Sequence, residues 1–245
     1  MAKHFPTGSG PIEIEPLPVL LTNKQREQSD RMNAYYRFQS KIYDLTRWSF
    51  LFGRRRLIRK LAETVALPAS ILEVGCGTGH NLSLLARRFP DSRLMGVDVS
   101  DDMLQLASRR LQSVSGKIRL FQGAYGKRSA HHLPQPEVIV CSYVLSMINP
   151  QWNKLIRQAW EHLPVGGWIA VVDFHRSPLG AFRRHMSGHH VRMDGHLLPE
   201  LLSHFTIAVR EVRPVYFGCW QYFLFIGQKS GGKKRDEAEA HGAVN

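Results

Sequence analysis

An α/β architecture follows from three features of this 245-residue chain: a doubly wound, mostly parallel sheet of seven strands with one antiparallel end strand, preceded by an N-terminal helical cap. From residue 67 onward, short β-branched runs alternate with amphipathic stretches, the order that places crossover helices between parallel strands. The first of these runs ends in a glycine-rich turn that opens a helix, the arrangement by which such sheets meet a ligand. The last two runs leave no room for a helix between them, so one end strand must run antiparallel.

Taken in order, residues 1–23 carry Pro6, Pro11, Pro16 and Pro18 and read as an extended arm. Residues 24–66 form the helical cap, with Tyr36, Phe38, Ile42, Leu45 and Trp48 near helical spacing and a break at Gly53. The core spans 67–228. Its strands are expected at 70–74, 93–98, 117–122, 137–142, 168–174, 206–214 and 220–228, and its helices at 79–89, 101–114, 151–162 and 197–204. Residues 229–245 are polar, contain glycine and mix both charges, which predicts a disordered tail.

Hydrophobic residues make up 43% of the chain and charged residues 22%, a globular composition that argues against general disorder. Lys and Arg number 33 against 20 acids, a formal charge of +13, which predicts attraction to a polyanion: nucleic acid, an anionic membrane or acidic small molecules. Three scattered cysteines (Cys76, Cys141 and Cys219) support neither a disulfide framework nor a four-cysteine zinc site, so a reducing compartment is expected. Glu13 and Glu15 interrupt any secretory h-region, and the longest apolar stretch, 215–227, is too short to span a bilayer.

The chemistry concentrates in Ile71-Leu72-Glu73-Val74-Gly75-Cys76-Gly77-Thr78-Gly79-His80. Glycines let a ligand approach the backbone closely. A dinucleotide fingerprint would set its third glycine three residues after the second; here the interval is two. Glu73, two residues before the first glycine, places negative charge where a pyrophosphate would be repelled and a cationic or amine-bearing ligand favoured. Asp98 closes the second strand about 20 residues on, the position from which a carboxylate can accept two hydrogen bonds from a ribose diol. Ser100 serves better than Asp98 as the cap of the following helix.

This combination resembles the class I S-adenosylmethionine-dependent methyltransferases over about residues 67–228, with a Rossmann-like fold. Residues 73–79 are similar to that family's first motif, Val97-Asp98 with Ser100 and Met103 to its second, and Leu163-Pro164-Val165-Gly166-Gly167 to its turn before strand five. The resemblance implies S-adenosylmethionine as cofactor. The glycine loop with Gly75, Cys76, Gly77 and Gly79 would pass beside its methionyl part and Asp98 would bind its ribose, with Glu73 and Val99 as further cofactor contacts. Met103, Gly123 and Ala124 would border the adenine, and Cys141-Ser142-Tyr143 the reactive side, with Ser142 a cofactor contact. Methyl transfer from a sulfonium is an in-line displacement that needs alignment and exclusion of water more than acid–base help.

For the acceptor, exocyclic base amines in this family go with an Asn/Asp/Ser-Pro-Pro-aromatic signature after strand four. The chain has Cys141-Ser142-Tyr143-Val144-Leu145 there, so nucleic acid is not the expected partner. The aromatic run Tyr35-Tyr36-Arg37-Phe38 and the segment from Ile42 to Phe52, followed by Arg54-Arg55-Arg56, offer an interfacial surface to anionic lipid. The histidine-rich stretch 173–199 has no completing acid at metal-ligand spacing, so no metal is expected; its Arg and His residues suit a carboxylate or phosphate in the substrate.

Residues 33–60 and 173–226 together resemble the bacterial betaine-lipid methyltransferases, which N-methylate diacylglyceryl-homoserine to diacylglyceryl-trimethylhomoserine. That resemblance implies Tyr35, Tyr143 and His175 as catalytic candidates and Tyr43 as a contact for the cofactor carboxylate. It also implies Tyr36, Arg47, Arg192 and His196 as substrate contacts, with a cytoplasmic enzyme peripheral on the inner face of the membrane. The enzyme that makes the homoserine lipid becomes a candidate partner. Phosphatidylethanolamine N-methylation and C-methylation of a quinone precursor compete within the same class. A non-catalytic protein that binds the cofactor or nucleic acid competes from outside it.

Overall fold

The computed structural model describes residues 12–17, 51–114, 117–148, 150–188 and 191–231. Eight strands form one sheet: β1 (Ile14–Pro16), β2 (Ser70–Val74), β3 (Arg93–Asp98), β4 (Lys117–Gln122), β5 (Val138–Ser142), β6 (Trp168–Phe174), β7 (Thr206–Val215) and β8 (Trp220–Gln228). Their order is β1-β4-β3-β2-β5-β6-β8-β7. All pairings are parallel except those of β8, which runs antiparallel to both β6 and β7. The expected doubly wound α/β sheet is therefore present. The reversed strand sits one place in from its edge, and β7 at the edge again points the same way as β2 to β6.

Every residue of β2 and β5 is buried, which accounts for their unbroken apolar texture: both faces of these central strands are covered. One face carries α1 (Arg54–Thr64), α2 (His80–Arg88) and α3 (Asp101–Leu111), whose Leu57, Leu61, Leu82, Leu85, Leu104 and Ala107 share a core with Ile71, Leu94 and Val140. The other face carries α5 (Trp152–His162) and α7 (Leu197–His204), whose Leu155, Ile156, Ala159, Leu197 and Leu201 pack on Leu72, Met95 and Ile139. Two further helices, α4 (Lys127–Ala130) and α6 (Gly180–Gly188), are the remaining ones among the described residues. Gly53, at φ 82°, is the N-cap of α1, where the sequence puts a break.

β1 is an addition to the seven expected strands. It pairs in parallel with Leu120–Gln122, and Glu15 takes a two-pronged grip on Arg119 at 2.7 and 2.6 Å. Arg119 is only 5% exposed, so its charge needs that partner. Three residues ending in proline are too short to show alternation, and Pro16 is tolerated because β1 is an edge.

β2, β3 and β4 step outward in one direction and β5 and β6 in the other, so the strand order reverses between β2 and β5. In open α/β sheets that reversal opens a crevice beyond the carboxyl ends of the two strands.

Candidate active site

The crevice is where the glycine turn lies. Gly75 and Cys76 N–H groups both donate to the Val97 carbonyl, at 2.8 and 3.1 Å, turning the chain over the end of β3. Gly75, Gly77 and Gly79 have φ of 68°, 51° and 72°. At Gly75 a Cβ would meet Val144 Cγ2 at 2.7 Å, so glycine is required both for the turn and for the approach of the chain after β5. Arg110, on α3, braces the turn by donating to the Thr78 carbonyl at 2.9 Å and the Thr78 hydroxyl at 2.7 Å.

Asp98 ends β3 and is half-buried. One carboxylate oxygen accepts from the Gly77 N–H at 2.8 Å and the other from the Ser100 N–H at 3.0 Å. Asp98 thereby joins the glycine turn to the start of α3. Ser100 caps α3, accepting from the Met103 N–H at 3.4 Å, as the sequence indicates.

A cavity of about 710 Å³ opens here, lined by Val74, Gly75, Gly77 and Val97 to Ser100, by Met103 and Gly123 to Gly126, by Ser142 to Val144, and by the face of α5 from Gln151 to Glu161. A second, small and polar cavity lies on the other side of the glycine turn. Leu51, Arg54, Glu73, Thr78, His80 and Asn81 line it, and Gly75, Cys76 and Ser142 close it. Gly75 and Ser142 border both, so the two form one cleft pinched at the β2/β5 reversal. In the polar end Glu73 is 1% exposed and accepts from Asn81 Nδ2 at 2.7 Å. Asn81 Oδ1 and Ser142 Oγ are buried without a hydrogen-bond partner among the described residues.

Behind Ser142, Asp173 fixes the wall. Wholly buried, it accepts from the N–H groups of Leu145 (2.9 Å), Ser146 (3.2 Å) and Phe174 (2.8 Å). Burial nevertheless pushes its pKa up to about 6.

Of the residues singled out from the sequence, Gly75, Gly77, Asp98, Val99, Met103, Gly123, Ala124, Ser142 and Tyr143 line the large cavity, and Glu73 and Cys76 line the small one. Gly79 lies behind the turn, where its missing Cβ admits Ala107 and Leu111 of α3. Tyr143 is 4% exposed and donates its hydroxyl to the Phe52 carbonyl at 2.8 Å; burial drives its pKa well above the ordinary tyrosine value. That hydroxyl ties the cavity wall to the chain before α1. Tyr35, Tyr36, Tyr43 and Arg47 lie outside the described residues.

Three expected contacts are not brought to the cleft. His175 packs against Phe223, with ring centres 6.0 Å apart, and burial lowers its pKa. Arg192 pairs with Asp194 at 2.7 Å, and His196 hydrogen-bonds the same carboxylate while standing edge-on to Trp152. Asp194 draws both residues to itself, which position in the sequence after β6 did not reveal. Conversely, Arg54, His80, Asn81 and the α5 face line the cleft without having been marked as site residues. Arg54 is half-buried and meets the glycine turn only in the folded chain, about 20 residues away in sequence, so no local pattern marks it.

Comparison with known proteins fits this geometry. Residues 72–169 match a family model described as a methyltransferase domain. The trans-aconitate 2-methyltransferase of Methylobacterium nodulans is 33% identical over 107 residues, 44% of this chain and 39% of that protein. The chain thus spans about two fifths of the length of such curated relatives. Among solved structures, the N-methyltransferase NodS of Bradyrhizobium japonicum, in complex with S-adenosyl-L-homocysteine, superposes with a TM-score of 0.57 at 20% identity, covering 72% of this chain and 86% of NodS. The 1,6-didemethyltoxoflavin-N1-methyltransferase of Burkholderia thailandensis gives a TM-score of 0.63 at 15% identity, covering 87% and 92%. The fold is that of the Rossmann-like methyltransferases. S-adenosylmethionine fits the cleft: the acid of the polar end suits an ammonium, two buried polar atoms await partners, and Asp98 faces the larger cavity.

Proposed function

We propose, from the match of residues 72–169 to a methyltransferase domain, that this chain is an S-adenosylmethionine-dependent methyltransferase. The observation that carries the reading is the pinched cleft, polar on the Glu73 side and larger on the Asp98 side, meeting at Gly75 and Ser142. Bound there, the cofactor would supply a methyl group on a positively charged sulfur. Glu73 and Asn81 would hold its amino-acid end and Asp98 its ribose hydroxyls. Val74, Val97, Met103, Val144 and Leu155 contribute apolar wall that excludes water. Tyr143 and Asp173 keep the wall after β5 in place. An amine acceptor must arrive neutral, so its proton leaves before the methyl is transferred.

For the acceptor we propose a lipid-borne amine, most specifically the head group of diacylglyceryl-homoserine, methylated at the membrane surface. The net charge of +13 and the exposed aromatic groups at the carboxyl edge of the sheet support this reading. Among the described residues no helix is long and apolar enough to cross a membrane, so attachment would be peripheral. The competing reading is O-methylation of a small carboxylic acid, which the name of the Methylobacterium relative suggests. Purified protein, methyl-labelled cofactor and either a total lipid extract or trans-aconitate separate the two. Label in an amine lipid is expected; label in the acid alone overturns the lipid assignment and leaves the methyltransferase standing. Failure of folded protein to retain S-adenosylhomocysteine in equilibrium dialysis overturns both.

A further inference from the structure

The turn joining β7 to β8 carries a feature that the cleft does not use. Phe217 is 114% exposed and Tyr216 51%. Both hold left-handed backbone, with φ of 56° and 48°, and Gly218 follows at 91°. Two consecutive aromatic residues in a region that disfavours side chains are strained, and here the strain sets a phenyl ring into solvent. Leu179, 49% exposed, belongs to the adjoining loop: Ser177 accepts from the Leu179 N–H at 3.2 Å and donates to the Cys219 carbonyl at 2.6 Å.

Position gives this patch meaning. β7 points the same way as β2 to β6, so its carboxyl end, and with it the Tyr216–Phe217 tip, lies at the sheet edge on which the cleft opens. The tip is also joined to the cleft. Phe52 stands edge-on to Tyr216 with ring centres 5.6 Å apart, and its carbonyl receives the hydroxyl of Tyr143 in the cavity wall. Exposed arginines lie on the segments that meet the tip. Arg213 stands three residues before Tyr216 on β7, the Arg176 carbonyl accepts from the Gln221 N–H at 2.7 Å, and Arg183 donates to the Ser177 carbonyl at 2.7 Å. The acids Glu211 and Asp194 stand on or beside the same segments. Both acids are already engaged, Glu211 by Arg56 and Arg213 and Asp194 by Arg192.

We infer that the Tyr216–Phe217 tip is a membrane-docking element that inserts its aromatic side chains into the interface of an anionic bilayer while the arginine collar meets the head groups. An apolar wedge within a cationic ring is the pattern that binds such interfaces, and neither part alone holds a protein there firmly. Docked in this way, the cleft mouth faces the lipid surface. The inference deepens the lipid-acceptor reading but rests on its own geometry.

The test is co-sedimentation of the full chain with phosphatidylcholine vesicles and with the same vesicles doped with phosphatidylglycerol, without any acceptor or cofactor. Phe217→Asn serves as the variant because asparagine tolerates left-handed backbone. We expect sedimentation with the doped vesicles only, release by high salt, and binding about tenfold or more weaker for Phe217→Asn. S-adenosylhomocysteine affinity should be unchanged and the melting temperature no lower than that of the wild type, since asparagine relieves the left-handed strain at position 217. Absence of vesicle binding, or binding indifferent to Phe217→Asn, overturns the inference. So does a wild-type dimer in light scattering that Phe217→Asn converts to monomer, which would make the tip an interface between copies. A chain that docks through Phe217 yet methylates no lipid keeps the docking surface and loses the acceptor; one that methylates lipid without docking does the reverse.

Discussion

The hydroxyl of Tyr143 reaches across 91 positions of sequence to donate to the carbonyl of Phe52 at 2.8 Å, tying the chain before α1 to the wall of the cleft. Tyr143 adopts φ 55°, a conformation few non-glycine residues hold without an anchor, and edge-on packing against Phe174 at 4.8 Å supplies a second one. The residue therefore works as a fastening between two segments. Tyr143→Phe should lower unfolding stability by about 1 kcal/mol, the usual cost of one buried hydrogen bond. It should leave the pH dependence of methyl transfer unchanged. Denaturant melts and a pH–rate profile check this; a profile that loses a limb would restore Tyr143 as a proton-transfer group.

Asp98 divides its carboxylate between the backbone of the glycine turn and the cavity. Asp98→Asn removes the charge and one acceptor at nearly constant shape. S-adenosylhomocysteine affinity, measured by calorimetry, should fall about ten- to a hundredfold, the loss of one or two charge-assisted hydrogen bonds. An unchanged affinity would mean that the carboxylate serves only the turn.

These two residues show what a sequence can reveal. Asp98 was legible because strand, glycines and acid lie within 30 residues of one another, at intervals fixed by a single β–turn–α unit. The strand and helix positions of the core were legible for a similar reason, since burial on both faces leaves continuous apolar runs such as 138–141. The role of Tyr143, the brace from Arg110 to Thr78 and the polar cavity wall at Arg54 and Asn81 depend on parts of the chain meeting in space. Arg192 and His196 illustrate the opposite case: they follow β6 at the carboxyl edge as expected, but Asp194 between them takes both side chains. Sequence placed the loop at the right edge and could not give the direction of its side chains.

At Gly75 the turn and the wall after β5 are in contact, so substitution acts on both. Gly75→Ala forces a side chain into φ 68° with its Cβ 2.7 Å from Val144 Cγ2. The expected cost is about 1–3 kcal/mol in stability. Because Gly75 borders both cavities, loss of cofactor binding should exceed the loss of stability. Melting curves with and without S-adenosylhomocysteine read both effects: the variant should melt lower and lose the ligand-induced shift.

Asp173 offers a prediction whose sign is set by burial. Its carboxylate gathers three backbone N–H groups, yet desolvation outweighs them and lifts its pKa to about 6. The unfolded chain releases this proton near the ordinary aspartate value, whereas the folded protein keeps it until about pH 6. Between those limits the native state binds the extra proton, so the residue's contribution to stability is greatest at the acidic end. It declines as pH rises through the window, by about 3 kcal/mol for a shift of this size. Asp173→Asn cannot titrate. It must also turn its amide nitrogen toward at least one backbone donor, so it should be less stable than wild type throughout. The stability difference between the two proteins should therefore narrow as pH is raised toward 6 and stay constant above it. Urea melts at stepped pH measure that difference directly, and a gap that widens over the same interval would show that hydrogen bonding to the carboxylate, not its burial, governs Asp173.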